Sequence, residues 1–586
     1  MAARNAPRTF RLVLLKPSHY DDDGYVIRWW RALIPSNSLA AMYGLALDCA
    51  NRKVLGNHVS IDIDVIDETN TRVDMSGLLR RFEQDSGFGL LCLIGVQSNQ
   101  YPRALDLAKP FRRAGVPVLL GGFHVSGCLS MLDGTAVDLE QARELGISLF
   151  AGEAEGRLDE VLRHAATDCL QPLYNYMSDL PHIASTPVPF LPTAYVKRTL
   201  GKNTSFDAGR GCPYQCSFCT IINVQGRKSR HRTPDDVEEI VRRNWEQNIS
   251  RFFITDDNFA RNRDWEAIFD RLAKLREVDN LPLGLMLQVD TLCHKIPRFI
   301  EKAKRAGVTR VFIGMENINP DNLAAAKKKQ NKITEYRKML LAWRAQGIFT
   351  YAGYILGFPA DTPETIRRDI GIIQRELPVD VLEFFLLTPL PGSEDHQVLW
   401  RRGAALDPDL NKYDLEHVVT DHPRMTRAEL QAVYREAWSL YYTPEHIETL
   451  LRRAMASKIP LWRLIKVLVP FATMVPLENI HPLQSGLMRL KSRSERRPHL
   501  PKEDLFSFYS NFLQATISHN LGWIRIAWRM LQVKRRIERD PERYSYTDQA
   551  LTPVREDDEE LYELFSAPAG AKAAIEHLKK VAALTH

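Results

Sequence analysis

Between residues 10 and 170, short apolar runs alternate with stretches of helical pattern, and this alternation restricts the fold more than any other feature. The runs are FRLVLLKP, VSIDIDVID, GLLCLIGV, VPVLLGG and the shorter ISLFAGE. Segments such as SLAAMYGLALDCANRK and YPRALDLAKPFRRAG lie between them. Strands separated by helices pair in parallel, and near-continuous apolar strands belong to a sheet covered on both faces. The sequence therefore predicts an α/β domain over 10–175. Ligands of such sheets sit beyond the carboxyl ends of the strands. Two turns occupy that position, VQSNQY after GLLCLIG and FHVSG after VPVLLGG.

A second β/α series covers 201–425. Its strand candidates are TSFDAG, RFFITDDN, GLMLQVD, RVFIGMEN, TYAGYILGFP and VLEFFLLTPLPG. Six strands with intervening helices predict a partial or full (β/α) barrel with its functional residues on the C-terminal strand ends. Between the two series, 176–200 holds Pro181, Pro187, Pro189 and Pro192. Proline keeps its neighbourhood extended, so this segment reads as a linker. From 426 to 586 the pattern is helical. The run REDDEE at 555–560 reads as a solvated face or loop.

Composition excludes several classes. A chain of 586 residues with 45% hydrophobic and 26% charged content is a multidomain globular protein. A net charge of +6 is small for this length and gives no basis for nucleic-acid binding. The apolar run ending at Lys16 is too short for a signal sequence, and no uncharged apolar run is long enough to span a membrane. Eight scattered cysteines point to a reducing cytoplasm rather than a disulfide framework.

Three of the eight cysteines, Cys212, Cys216 and Cys219, crowd into GRGCPYQCSFC directly after the first strand of the second series. Structural zinc takes four closed ligands, commonly in two pairs, and the sequence offers no second pair. Iron–sulfur clusters also commonly take four thiolates. Three thiolates on a four-iron cluster leave one iron open to a reacting ligand. The spacing Cys-x3-Cys-x2-Cys, with Phe218 before the last cysteine, resembles the radical S-adenosylmethionine (SAM) superfamily. That resemblance implies a [4Fe-4S] cluster on Cys212, Cys216 and Cys219, with SAM chelating the open iron. An electron from the cluster then splits SAM into methionine and a 5′-deoxyadenosyl radical. It also implies SAM contacts at Phe218, Asp256, Gln288 and Glu316, and an electron donor such as flavodoxin or ferredoxin.

The first series, with GVQSNQ, VLLGGFH and FAGEAEGRLDEVL, resembles the Rossmann-like cobalamin-binding domain that precedes some radical SAM cores. TPLPGS at 388–393 resembles the last-strand signature of the same branch. The resemblance implies cobalamin contacts at Ser98, Gly121, Gly122, His124 and Glu153. The Asp-x-His-x-x-Gly motif of mutase-type cobalamin domains is absent, so no histidine is expected on the lower face of cobalt. The implied enzyme belongs with hopanoid methylases, natural-product C-methylases and the anaerobic magnesium-protoporphyrin cyclase, and methylates an unactivated carbon of a small molecule or lipid. Cobalamin-assisted rearrangement, cyclisation or oxidation without methyl transfer is the alternative, and a non-catalytic iron–sulfur or cobalamin sensor is a third reading. The stretch SHYDDDGYVIRWWRALIPSNSL at 18–39 either packs at a domain interface or reaches the shared active-site space. For IPLWRLIKVLVPFATMVPL at 459–477, burial in the helical domain is favoured over peripheral membrane contact or a greasy substrate pocket.

Overall fold

The computed structural model describes residues 8–132 and 137–553. The REDDEE run lies outside the described residues. The chain opens with strands β1 (Arg8–Lys16), β2 (Trp29–Ala32), β3 (Val59–Asp67), β4 (Gly89–Leu93), β5 (Val118–Gly121), β6 (Ser148–Ala151) and β7 (Leu173–Asn175). All except β2 form one parallel sheet in the order β3-β1-β4-β5-β6-β7. Successive residues of β1 point to opposite faces, and both faces are buried. Val13 and Leu15 join one apolar cluster, Phe10, Leu12 and Leu14 the other. This is why the run reads as apolar throughout. The direction of winding reverses between β1 and β4, so a crevice opens there at the carboxyl ends of the strands.

The second sheet comprises β8 (Asn203–Phe206), then β11 to β15, with the two-residue strands β9 (Gly209–Arg210) and β10 (Arg230–His231) paired beside it. The remaining strands are β11 (Arg251–Ile254), β12 (Gly284–Val289), β13 (Val308–Glu316), β14 (Phe349–Leu356) and β15 (Val381–Leu386). All six pair in parallel in chain order, and β8 does not pair with β15. The barrel is therefore partial. In β12 and β13 the fully buried residues, such as Leu285, Leu287, Val311 and Ile313, alternate with the less buried Gln288, Phe312 and Glu316. Period-two alternation puts the latter set on the opposite face of the strands.

Two segments differ from their sequence reading. Residues 176–200 form no free linker. Val188 enters the barrel core and Leu191 and Val196 enter the core of the first sheet, so the segment bolts the two together. The C-terminal helices Arg427–Tyr441, Pro444–Ala456 and Leu461–Glu478 share one continuous apolar cluster with the barrel, through residues such as Trp438, Leu450 and Phe471. The apolar stretch at 459–477 is thus core. Leu464, Leu468 and Phe471 are buried, while Trp462 stays half exposed. Beyond it, β16 (Gly486–Arg489) pairs antiparallel with β2.

The two β/α units also meet backbone to backbone. A Cβ on Gly127 would lie 2.3 Å from the carbonyl oxygen of Pro391, and one on Gly392 would lie 2.8 Å from Gly127 Cα. Gly127 belongs to the helix Phe123–Met131 and Gly392 to the TPLPGS turn. A side chain at Gly127 must part the two units. Gly127→Val is expected to destabilise the protein by about 1–3 kcal/mol, read as a lower thermal midpoint. Gly371→Ala, in a helix where only the flexible Arg375 side chain is near, is the control and should leave the midpoint unchanged or raise it.

Candidate functional site

The loop after β8 carries the cysteines. Cys216 is buried, and the Cys219 amide donates to the Cys216 carbonyl at 3.2 Å. Gln330 Nε2 lies 3.4 Å from Cys216 Sγ. Burial pushes the Cys212 thiol up to about 11 and the Cys219 thiol to about 12, with Asp257 and Cys216 adding to both. Ligation to a metal must therefore displace thiol protons. No three His, Cys, Asp or Glu side chains among the described residues converge closely enough for a single metal ion. Three thiols on one loop with no fourth ligand beside them fit an iron–sulfur cluster with an open iron better than a closed zinc site.

A network pins this loop. Tyr214 donates its hydroxyl to Asp290 at 3.2 Å, and Asp290 also accepts from Asn258 and Arg261. Asp256 does not face the cysteines. It is buried and accepts from the Ala208 amide at 2.7 Å and Asn262 Nδ2 at 3.2 Å, so both carboxylate oxygens are spent holding the start of the loop. Its neighbour Asp257 is the one that feels Cys212 and Cys219. Asp256 and Asp257 both lie beyond the end of β11, and of the two Asp257 is the one near the thiols.

Glu316 ends β13 at a register shift and in a left-handed conformation, with φ of 63°. A bulge at this point re-aims the side chain. Glu316 forms an ion pair with Lys328, whose Nζ also lies 5.5 Å from the Phe218 ring centre. Burial opposes charge on Lys328, but Glu316 and the thiols of Cys216 and Cys219 raise its pKa. Phe218 packs edge-on against Phe358 at 6.5 Å. Gln288 lies opposite Phe312 in register on the neighbouring strand. Phe218, within the cysteine loop, and Glu316, at the end of β13, thus meet around Lys328, while Gln288 sits near the end of the neighbouring β12.

Two cavities open at the crevice of the first sheet. The inner one, about 210 Å³, is walled by Leu119, Gly121, Gly122, Phe150, Glu153 and Arg210. The outer one, about 480 Å³, is lined by Ser98, His19, Tyr413, His481, Thr220 and Ile221 among others. Both include Asn37, Ser38, Gly95 and Phe123, so they adjoin along a shared wall. Thr220 and Ile221 directly follow Cys219. The adjoining cavities therefore reach from the first sheet to the cysteine loop. Burial lowers His19 and His481 to about 4, leaving neutral imidazoles in the wall at pH 7. The stretch 18–39 supplies His19 to this wall while Trp29 is buried and Trp30 is half exposed.

Three residues expected at cobalamin also have partners within the protein. His124 is fully buried, 3.1 Å from Ser98 Oγ through Nδ1 and packed on Tyr101 at 4.3 Å. Burial pushes it down to about 3, so it is neutral. It positions Ser98 and lines neither cavity. Gly122 has φ of 147°, and a Cβ there would lie 2.1 Å from the Val96 amide nitrogen. The close approach of the neighbouring loop already demands this glycine. Glu153 walls the inner cavity but pairs with Arg210 at 2.6 Å and with Arg230.

Arg210 is the residue that the sequence reading missed. It lies two residues before Cys212, is buried, and pairs with Glu153, Glu155 and Asp207. Burial opposes charge on all these groups, yet Arg210 holds Glu155 and Asp207 below the ordinary carboxylate range. The only local signal was an arginine beside the first cysteine.

Residues 208–371 match the family model of the radical SAM superfamily. The chain carries a radical SAM domain, and the matched span includes the three cysteines, Asp257, Gln288, Glu316 and Lys328. It is 26% identical over 373 residues to the bacteriochlorophyllide d C-8(2)-methyltransferase of Chlorobaculum tepidum, covering 61% of this chain and 78% of that relative. It is also 26% identical over 344 residues to the hopanoid C-2 methylase of Rhodopseudomonas palustris, covering 58% of this chain and 62% of that one. In fold it is similar to the radical SAM methyltransferase TsrM from Kitasatospora setae, solved with cobalamin and a [4Fe-4S] cluster bound. The TM-score is 0.52 at 17% identity, over 68% of this chain and 79% of that chain.

Removing Arg210 strands buried carboxylates. Arg210→Met is expected to cost about 3–5 kcal/mol, read by chemical denaturation, and to expose 176–200 to protease. Glu155 and Asp207 have depressed pKa values, so their contribution is complete above the ordinary carboxylate range and is lost as pH falls below it. The variant should lose less stability than the wild type over that acid window. Equal acid profiles would contradict the network's role.

Proposed function

We propose that the chain is a cobalamin-dependent radical SAM enzyme that transfers a methyl group from SAM to an unactivated carbon of a small molecule or lipid. The observation that carries this reading is the pair of adjoining cavities that reach from Gly121 and Ser98 to Thr220 beside Cys219. Cofactors held at the switch point of the first sheet and on the cysteine loop would share one chamber. The relatives methylate bacteriochlorophyllide and hopanoid carbons by name, which supports the same reaction class here.

In this reading Cys212, Cys216 and Cys219 hold the cluster, with Gln330 directed at Cys216 Sγ. Asp257, Gln288, Phe218 and the Glu316–Lys328 pair surround SAM. The inner cavity takes the tail of cobalamin between Leu119, Phe150 and the glycine pair, and Ser98, fixed by His124, faces its ring. The cluster supplies the electron that cleaves SAM, and cobalamin carries the methyl group. His19, Tyr413 and His481 line the part of the outer cavity left for substrate. His481 has both ring nitrogens engaged, by the Phe384 carbonyl and the Leu483 amide, and Tyr413 donates to the Asp407 carbonyl, so this uncharged wall suits a largely apolar molecule. A flavodoxin- or ferredoxin-type donor would reduce the cluster.

Anaerobically reconstituted protein is expected to bind cobalamin and, with reductant and SAM, to form 5′-deoxyadenosine. Given SAM labelled in its methyl group and a lipid extract of the host, it should place label in an extractable product. Label-free product beside 5′-deoxyadenosine would favour rearrangement, and no 5′-deoxyadenosine would favour a sensor. Cys212→Ala, Cys216→Ala and Cys219→Ala should each abolish 5′-deoxyadenosine formation and lower iron and sulfide content.

A further inference from the structure

The helix Leu505–Arg539 runs for 35 residues, about 50 Å at 1.5 Å per residue. One side packs on the helices Pro444–Ala456 and Leu461–Glu478, with Met530 and Ile537 joining the barrel core. The opposite side is bare. Phe506 is 83% exposed, Leu513 61%, Ile517 51%, Leu521 60%, Ile524 64% and Trp528 53%. The steps between them are those of a single helix face. A soluble surface helix would carry polar residues here, and this one carries its largest apolar side chains.

Charge along the helix identifies what covers the face. From residue 525 onward it holds Arg525, Arg529, Lys534, Arg535, Arg536 and Arg539 against Glu538 alone. Lys534 pairs with Glu538 and Arg536 with Glu448. Arg525, Arg529 and Arg535 have no carboxylate partner among the described residues. The Arg535 guanidinium lies 5.8 Å from the Trp528 ring centre at the end of the stripe. Two copies of this helix laid face to face would bring cations against cations, or cations against the uncharged first half, with no acidic complement in either case. An anionic surface with an apolar interior complements both the stripe and its cationic flank.

We propose that this face docks on an anionic lipid bilayer, with the helix lying in the plane of the interface. No helix among the described residues is long and apolar enough to cross a membrane, so the contact is peripheral. Leu487 and Met488 on β16 line a cleft with Phe508, Phe512, Ala515, His519 and Trp523, on the other side of the helix, so the exposed stripe stands apart from that cleft. This docking does not depend on the chemistry of the crevice.

The test is flotation of the full-length protein with vesicles of phosphatidylcholine alone or mixed with phosphatidylglycerol. The wild type should float with the mixed vesicles, bind the neutral ones about tenfold less, and dissociate in high salt. Ile517→Ser combined with Ile524→Ser should cut binding about tenfold or more. Arg525→Glu combined with Arg529→Glu should abolish the preference for anionic vesicles. All four positions are exposed, and an unchanged thermal midpoint would show that folding is intact. A wild type that stays soluble with both vesicle types would overturn the proposal. So would serine variants that float like the wild type, or a solution dimer that the serine variants dissociate while no form floats.

Discussion

The buried guanidinium of Arg210 is the interaction on which the arrangement depends. It projects from β9, just before the cysteine loop, and reaches back to Glu153 and Glu155 in the turn after β6 of the other sheet. An arginine fork satisfies several carboxylate oxygens at once, which a point charge cannot do. Taking these groups out of water is costly, and the cost is recovered only when every partner is in place. The network therefore favours one relative placement of the two units. That placement is what makes the two cavities adjoin, and the close contact between Gly127 and the TPLPGS turn enforces it on the other side.

Around the cysteines the same logic recurs on a smaller scale. Carboxylates are divided between anchoring and facing the chamber. Asp256 and Asp290 are consumed by hydrogen bonds that hold the loop, while Asp257 is left turned toward the thiols. Burial lifts both Asp256 and Asp257 to about 7. Asp207 adds to the shift of Asp256, whereas Asp257 is the carboxylate that acts on the Cys212 and Cys219 thiols. Glu316 is oriented by a bulge and partnered by Lys328, so a positive charge stands beside a loop that becomes anionic once the thiols ligate iron.

The β/α alternation, the parallel sheets and the cysteine triplet were all legible in the sequence, because each is written in local pattern or spacing. The positions of Ser98, Gly121, Phe218, Gln288 and Glu316 at strand ends were legible for the same reason. What sequence could not resolve was orientation. Asp256 and Asp257 are adjacent in the turn after β11, and only the folded turn decides which carboxylate anchors the Ala208 amide and which lies near the thiols. His124 follows a glycine pair as a ligand residue would, but its helix turns it into the core against Tyr101. Arg210 and Lys328 gained their roles from partners more than fifty and about ten residues away, respectively, which no window reveals. The stretch at 459–477 was read mainly as core, with membrane contact as the alternative. The structure buries it, and puts the exposed apolar face on the helix at 505–539.

The central claim is that the switch-point crevice and the cysteine loop hold their cofactors in one chamber. Electron paramagnetic resonance of the reduced, reconstituted cluster, recorded with and without cob(II)alamin, tests it most directly. The account predicts that the cobalt spin broadens the cluster signal or speeds its relaxation, and that Arg210→Met weakens the effect. A cluster spectrum indifferent to bound cob(II)alamin would contradict it.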